Sequence, residues 1–326
     1  MKDFRFPALG VGLLALPACQ RQSAMAPAGE EAVRVALLSW ILFVGAALVL
    51  LIVLVALVLA IAGPERVRRL LRTEGSIRIW GIVFPSVTLA VLLGYGVWLM
   101  RETIASPSAS MVRIEITGEQ FWWRIAYEGE GGSKVAEANE IRVPVGVDIE
   151  FVLRTADVIH SYWVPSLGGK LDMVPGRTNR LRLRAERPGI YRGQCAEYCG
   201  TAHAQMSLEI VAVSQAEFDA WLAAADAPPA PAGDLARRGA ALFIASGCGA
   251  CHAVRGTSAA GTIAPDLSRI GERRSLAAAT LPNTAENRIR FIANPGMVKP
   301  GSRMPPFAIF SADEQQALTA YLGSLK

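Results

Sequence analysis

Residues 193–206 read Gly193-Gln-Cys195-Ala-Glu-Tyr-Cys199-Gly-Thr-Ala-His203-Ala-Gln-Met206. Two cysteines four apart, a histidine four further on and a methionine three beyond place four soft donors in 14 residues. Thiolate, imidazole and thioether together suit copper better than magnesium or calcium. Two plainer uses compete, a disulfide and a structural zinc site. Zinc makes no demand for Met206, and a disulfide makes none for a histidine. A further histidine, His160, lies upstream in Asp157-Val-Ile-His-Ser-Tyr-Trp-Val-Pro165, from where a neighbouring strand end could carry it to the cysteines.

The flanks of this stretch are period-two. Val112, Ile114 and Ile116 alternate with Arg113 and Glu115, and Leu181 and Leu183 alternate with Arg180, Arg182 and Arg184. Short alternating runs separated by Gly and Pro predict an antiparallel β-sandwich or barrel over 111–213. An Ala/Pro-rich segment, 225–233, predicts a stiff extended linker. Beyond it the period becomes helical: Ser311 with Glu314 forms a capping-box pattern, and Leu318, Tyr321, Leu322 and Leu325 share one face.

In that last unit Cys248-Gly-Ala-Cys-His252 is the c-type haem attachment pattern. Two thiols three apart can take the two vinyl groups of one porphyrin, and the adjacent His252 ligates iron from one side. Met304, in Ser-Arg-Met-Pro-Pro-Phe, is the expected second axial ligand; Met297 is its rival but lacks a following proline to stiffen the loop. A methionine there raises the reduction potential.

Upstream of the sandwich the chain is apolar. Of all 326 residues 52% are hydrophobic and only 19% charged, which argues against a wholly soluble protein and against disorder. Thirty uncharged residues separate Arg34 from Glu65, and 22 separate Arg78 from Arg101. As helices these would reach about 45 and 33 Å, enough to cross a hydrocarbon core of about 30 Å. Trp40, Trp80 and Trp98 lie near the ends, as interfacial indoles do. Between the spans, Arg66, Arg68, Arg69, Arg72 and Arg78 outnumber Glu65 and Glu74, which places this loop in the cytoplasm and both termini outside. The first 18 residues read as an export signal, and Leu16-Pro-Ala-Cys19 resembles a lipoprotein cleavage site with Cys19 lipidated. An uncleaved apolar N-terminus with an idle cysteine is the alternative reading.

These boundaries divide the chain into a signal (1–18), an extracytoplasmic segment (19–33), a membrane hairpin (34–103), a β domain (104–224), a linker (225–233) and a helical domain (234–326). Residues 110–226 hold 12 basic and 16 acidic side chains, whereas 232–326 hold 11 and 6, so the two outer units carry opposite charge and should attract each other. The overall net charge of +5 is too diluted to argue for nucleic acid. With only three histidines, no site needing four or more can be built from this chain alone.

The segment from Asp157 to Arg177, followed by Cys195 to Met206, resembles subunit II of haem–copper cytochrome c oxidases, and the likeness covers roughly 30–213. Residues 232–326 resemble a class I cytochrome c, a combination found in oxidases of the caa3 type. The resemblance implies a two-helix transmembrane hairpin, an all-β cupredoxin-like Greek key carrying a binuclear copper A centre, and an all-α cytochrome c domain carrying haem c. By it, Cys195 and Cys199 bridge two coppers, His160 and His203 each ligate one, and Met206 and the Glu197 carbonyl complete the shell. The Glu197 side chain would help hold magnesium at the boundary with subunit I. The implied partners are subunit I with haem a and copper B, subunit III, and an external donor such as cytochrome c or the bc1 complex. The implied place is the bacterial plasma membrane, with the C-terminal domains on the periplasmic side. Many relatives take electrons through a tryptophan at the first aromatic position of Gln120-Phe-Trp-Trp-Arg124; here Phe121 stands there and Trp122 is the nearest substitute. Oxygen reduction would then occur in another chain. A nitrous-oxide reductase is disfavoured by the histidine count, and a quinol oxidase subunit by the presence of the copper ligands. A stand-alone tether would need only one span, and a copper-storage lipoprotein would need no c-type haem.

Overall fold

The computed structural model describes residues 22–104, 111–128, 134–225 and 227–326. Cys19 and the expected signal therefore lie outside the described residues.

The apolar run forms α1 (Glu30–Ala62). Two short helices, α2 (Glu65–Leu71) and α3 (Glu74–Arg78), carry the arginine-rich turn. One π turn (Ile79–Val83) then leads into α4 (Phe84–Ile104). The π turn precedes Pro85, which has no N–H to donate; Phe84 N–H reaches back five residues to the Ile79 carbonyl and keeps the helix continuous. Among the described residues two helices are long and apolar enough to cross a membrane, and their apolar windows are not buried against the protein. Val44, Ile61 and Leu93, exposed at 62, 71 and 69%, make sense only against lipid or partner helices.

Two five-stranded sheets follow. Their strands are β1 (Met111–Glu119), β2 (Trp122–Glu128), β3 (Lys134–Ala138), β4 (Glu140–Pro144), β5 (Asp148–Thr155), β6 (His160–Trp163), β7 (Leu171–Met173), β8 (Asn179–Leu183), β9 (Gly189–Cys195) and β10 (Ser207–Val213). One sheet runs β3-β2-β1-β5-β8 and the other β4-β10-β9-β6-β7. The expected alternation is present: Ile114 and Ile116 of β1 and Trp123, Ile125 and Tyr127 of β2 face the core while their neighbours do not. The expectation of a purely antiparallel sandwich is corrected at two places, since β1 pairs β5 and β10 pairs β4 in parallel. Side-chain alternation reports which face is buried and is blind to strand direction.

Residues 22–30 strap the start of α1 to the sandwich. Ala28 N–H donates to Ser166 O (2.7 Å), Glu186 N–H to Ala28 O (2.9 Å), and Arg184 pairs with Glu30 (2.9 Å). The helix α5 (Gln215–Ala224), opened by a Ser214–Glu217 capping box, packs Phe218 and Trp221 on Tyr127.

The C-terminal unit, expected to be all-α, holds α6 (Gly233–Ala245), α7 (Ala285–Ala293), α8 (Pro295–Val298) and α9 (Ala312–Ser324), and also a short antiparallel ribbon of Ser275–Leu276 with Leu281–Pro282. α6 crosses α9 at Gly239, where a Cβ would lie 2.0 Å from the Ala317 carbonyl, so only glycine permits the approach. Phe243 and Tyr321 meet edge to face at 5.6 Å beside this crossing.

This unit is docked on the sandwich by charge. Glu137 and Arg273, both buried, pair at 2.9 Å, with Arg269 3.9 Å from the same carboxylate. Arg274 offers its backbone N–H to Glu140 (2.8 Å) and its guanidinium to Glu209 (3.6 Å). Arg142 of the sandwich and Arg269 of the helical unit both lie 5.2 Å over the ring of Trp221. Ala277, Ala278 and Ala279, at φ 53, 58 and 57°, form a left-handed turn. The Ala278 carbonyl accepts Ser207 N–H (3.3 Å) and the Ala279 carbonyl accepts Arg192 (3.1 Å). The charge asymmetry legible in the sequence is thus expressed as direct ion pairs.

Replacing Arg273 with methionine strands a buried carboxylate, which costs about 3–5 kcal/mol for a buried pair. Arg273→Met is expected to loosen the docked unit and to expose residues 225–233 to limited proteolysis; unchanged cleavage and thermal unfolding would refute the importance of this pair.

Candidate functional site

All six expected copper donors, five side chains and the Glu197 carbonyl, are positioned by β6, β9 and the loop after β9. Antiparallel pairing sets Tyr162 opposite Cys195, which brings His160, two residues earlier, to the end of β9. His160 Nδ1 lies 3.7 Å from Cys195 Sγ. Cys199 Sγ lies 3.6 Å from His203 Nδ1 and 3.8 Å from Met206 Sδ. Cys195 Sγ also lies 3.2 Å from the Glu197 carbonyl oxygen. Ligand atoms of His160, Cys195 and Cys199 all fall within 4.8 Å of one another. His160, Cys195, Cys199 and Met206 are buried, whereas His203 is half-buried with the exposed Tyr198 ring 5.7 Å away. The Glu197 side chain points into solvent.

Both cysteines are free thiols. A hydrogen bond from Cys199, and then ones from His160 and the backbone, pull the Cys195 thiol down to about 4 against the desolvation of burial. Retaining the shared proton raises Cys199. Cys195 is thus predisposed to present thiolate sulfur, the form that binds metal.

Asp157 orients the first histidine. His160 Nε2 lies 2.8 Å from Asp157 Oδ1, which leaves Nδ1 turned to the cysteines. Burial would raise the Asp157 carboxyl, but N–H donors from Gln120 and Val158 (both 2.8 Å), together with His160, hold it below the usual range. Gly118 of β1 makes room for the ring: a Cβ there would lie 2.7 Å from His160 Cδ2. Neither Asp157 nor Gly118 stands out in the sequence reading. An acid three residues before a ligand histidine was the available signal for the first; nothing marks the second without the fold.

The haem-type residues converge on a separate cavity of about 290 Å³. Cys248, Cys251, His252 and Met304 all line it, with Leu267, Ile270, Phe291 and Leu322 among its apolar walls. Gly247, at φ 75°, ends α6 and turns the chain into Cys248. His252 Nδ1 donates to Pro265 O (2.7 Å), which leaves Nε2 as the free ligand atom, and burial lowers its pKa. Met297, by contrast, is 78% exposed and off this wall. Two thiols, an imidazole and a thioether around an apolar slot fit a covalently held haem, as the thiol, imidazole and thioether set at 160–206 fits copper.

The cavity has a wall from the other domain: Glu119, Gln120, Phe121, Trp122 and Asn139 of the sandwich line it. Phe121, 7% exposed, packs against Gly200 of the cysteine loop on one side and Gly301 of the helical unit on the other. Trp122 is half-buried under the Arg124 guanidinium at 4.7 Å, and Arg124 donates to Thr262 O (2.8 Å). The position where relatives were expected to meet a docked cytochrome is therefore covered by this chain's own C-terminal unit.

Comparison with known proteins agrees with this geometry. Residues 129–213 match the family model "Cytochrome C oxidase subunit II, periplasmic domain", and residues 236–326 match "Cytochrome c". Cytochrome c oxidase subunit 2 of Alkalihalophilus pseudofirmus is 36% identical over 270 residues, covering 81% of this chain and 77% of the relative. The Bacillus subtilis protein of the same name is 33% identical over 224 residues, covering 65% and 62%. Among solved structures, the periplasmic domain of subunit II of cytochrome oxidase (CoxB) from Bradyrhizobium japonicum is 34% identical, covering 37% of this chain and 96% of that one, with a TM-score of 0.35. The chain belongs to the cytochrome c oxidase subunit 2 family, with a cytochrome c domain fused behind its copper-type β domain.

Proposed function

We propose that this chain is the electron-input subunit of a haem–copper terminal oxidase of the caa3 type. An external donor, such as cytochrome c or the bc1 complex, delivers electrons to the C-terminal domain. They leave through the β domain for subunit I, where oxygen is reduced to water with proton pumping. Subunit III completes the implied core, in a bacterial plasma membrane with the C-terminal domains on the periplasmic side.

In this reading Cys195, Cys199, His160, His203, Met206 and the Glu197 carbonyl hold the binuclear copper. Cys248 and Cys251 would hold haem c covalently, and His252 and Met304 would ligate its iron. The exposed Glu197 carboxylate is available for magnesium at the subunit I boundary, and Cys19 for a lipid. Bound there, the two groups would supply one-electron transfer. The chain's own residues do the rest. Asp157 and Gly118 fix the His160 ring, Pro265 fixes His252, and the apolar walls keep water from the haem slot. The Glu137–Arg273 pair holds the two sites in register.

One observation carries the proposal: Phe121 touches the cysteine loop and the helical unit at once, so the two sites share a single side chain as their partition. This supports the fused domain, in place of a diffusing protein, as the immediate donor to copper. Phe121 and Trp122 then belong to the internal boundary and meet no external donor.

Optical and EPR spectra of the purified complex test the cofactor assignment: a c-type haem band together with a mixed-valence two-copper signal is expected, and a mononuclear copper spectrum would contradict it. Asp157→Ala should weaken copper binding by about 10–100-fold, the usual loss for an orienting partner, read as copper per chain after dialysis against a chelator; full retention removes Asp157 from the site. Truncation after residue 226 should slow copper reduction by the same donor on the order of 10²-fold in stopped flow, through loss of the tethered concentration. An equal rate would end the relay idea.

A further inference from the structure

Four cationic side chains line the cavity of Cys248, Cys251, His252 and Met304: Arg273, Arg288, Lys299 and Arg303. Three have several polar partners or water around them. Arg273 is bound to the Glu137 carboxylate and to Asp266 O (2.7 Å). Arg288 donates to Asn283 Oδ1 (2.8 Å) and Thr319 O (2.9 Å). Arg303 is exposed to water.

Lys299 differs from all of them. It is 5% exposed, yet its ammonium makes one hydrogen bond among the described residues, to Ala277 O at 3.2 Å. Three N–H donors with a single acceptor leave a buried cation unsatisfied, a costly arrangement. A cation held this way, in the wall of a slot shaped for a cofactor, calls for an anion supplied by that cofactor.

Haem is a dianion at its rim. Its two vinyl groups go to the cysteines, and its two propionates occupy the remaining part of the periphery. Resting on the reading that haem is covalently held here, we propose that Lys299 is the seat of one haem propionate, its ammonium fixed by the Ala277 carbonyl and closed by the carboxylate. The contact would satisfy the ammonium's free donors and neutralise its charge in the low-dielectric slot. It also gives the left-handed turn a second task. The carbonyl of Ala277 holds Lys299, and the next carbonyl, Ala278 O, holds Ser207 N–H, the neighbour of Met206. The propionate seat and the copper-type loop are thus held by adjacent residues of one rigid turn.

The test uses the intact oxidase complex carrying ¹³C-labelled haem propionates, with haem content read first by pyridine haemochromogen. Absence of covalent haem in the unaltered complex would overturn the haem reading itself. With haem present, Lys299→Met should lower the haem midpoint potential, because an uncompensated carboxylate favours the oxidised iron. It should also move the labelled carboxylate band in the infrared difference spectrum, and Lys299→Arg should restore the potential most of the way. A lowered potential with an unmoved band would refute the contact, as would no change in either. If Lys299→Met fails to accumulate, Lys299→Arg decides: exchange of ammonium for guanidinium must shift the labelled band, and an unshifted band overturns the proposal.

Discussion

A carboxylate buried between two domains is a liability unless its partner is buried with it. Desolvating Glu137 and Arg273 costs several kcal/mol per ion, and their attraction offsets this only when the remaining donors are satisfied. The Arg273 guanidinium meets that condition by reaching Glu137 through both Nε and Nη2 and Asp266 O through Nη2 as well. Burial still pushes the Glu137 carboxyl upward, with the Arg273 and Arg269 charges opposing it. An arrangement of this kind is well formed in one geometry only. It fixes the helical unit on the sandwich, and the shared cavity wall, the covered Phe121 and the placement of Ala277–Ala279 follow from that geometry.

Much of this molecule is legible from residue order because its chemistry is local. Cys195 to Met206 and Cys248 to His252 lie in short segments, so the donor atoms have few ways to be apart. The spans are equally plain, since 30 and 22 uncharged residues leave helix in lipid as the economical solution. Period-two alternation identified β1 and β8, although it could not give strand direction, and two parallel pairings came as corrections.

What escaped the sequence is what depends on long-range approach. His160 is the exception: it reaches Cys195 across 35 positions through the β6–β9 pairing, the strand-end approach that its place upstream suggested. Gly118 is one of 30 glycines until a ring is seen beneath it. Arg273 and Glu137, 136 positions apart, each read as an ordinary surface charge. The charge balance of the two units pointed to attraction between them, but a net charge has no address. Likewise the Ala/Pro segment read as a stiff extended linker, while the units are clamped by ion pairs far from it, Glu137 with Arg273 and Glu209 with Arg274.

The left-handed Ala277–Ala279 turn bears on how such a fusion is maintained. Each non-glycine residue in that conformation costs roughly 1–2 kcal/mol, and the carbonyls that make it tolerable are received by Ser207 and Arg192 of the other unit. Cut free, the cytochrome half would lose those acceptances and relax toward an ordinary right-handed turn, carrying Lys299 with it. The two halves are consequently not interchangeable modules. A cytochrome transplanted from a cousin could match every ligand and still fit badly, because part of its backbone is shaped by the host on which it sits.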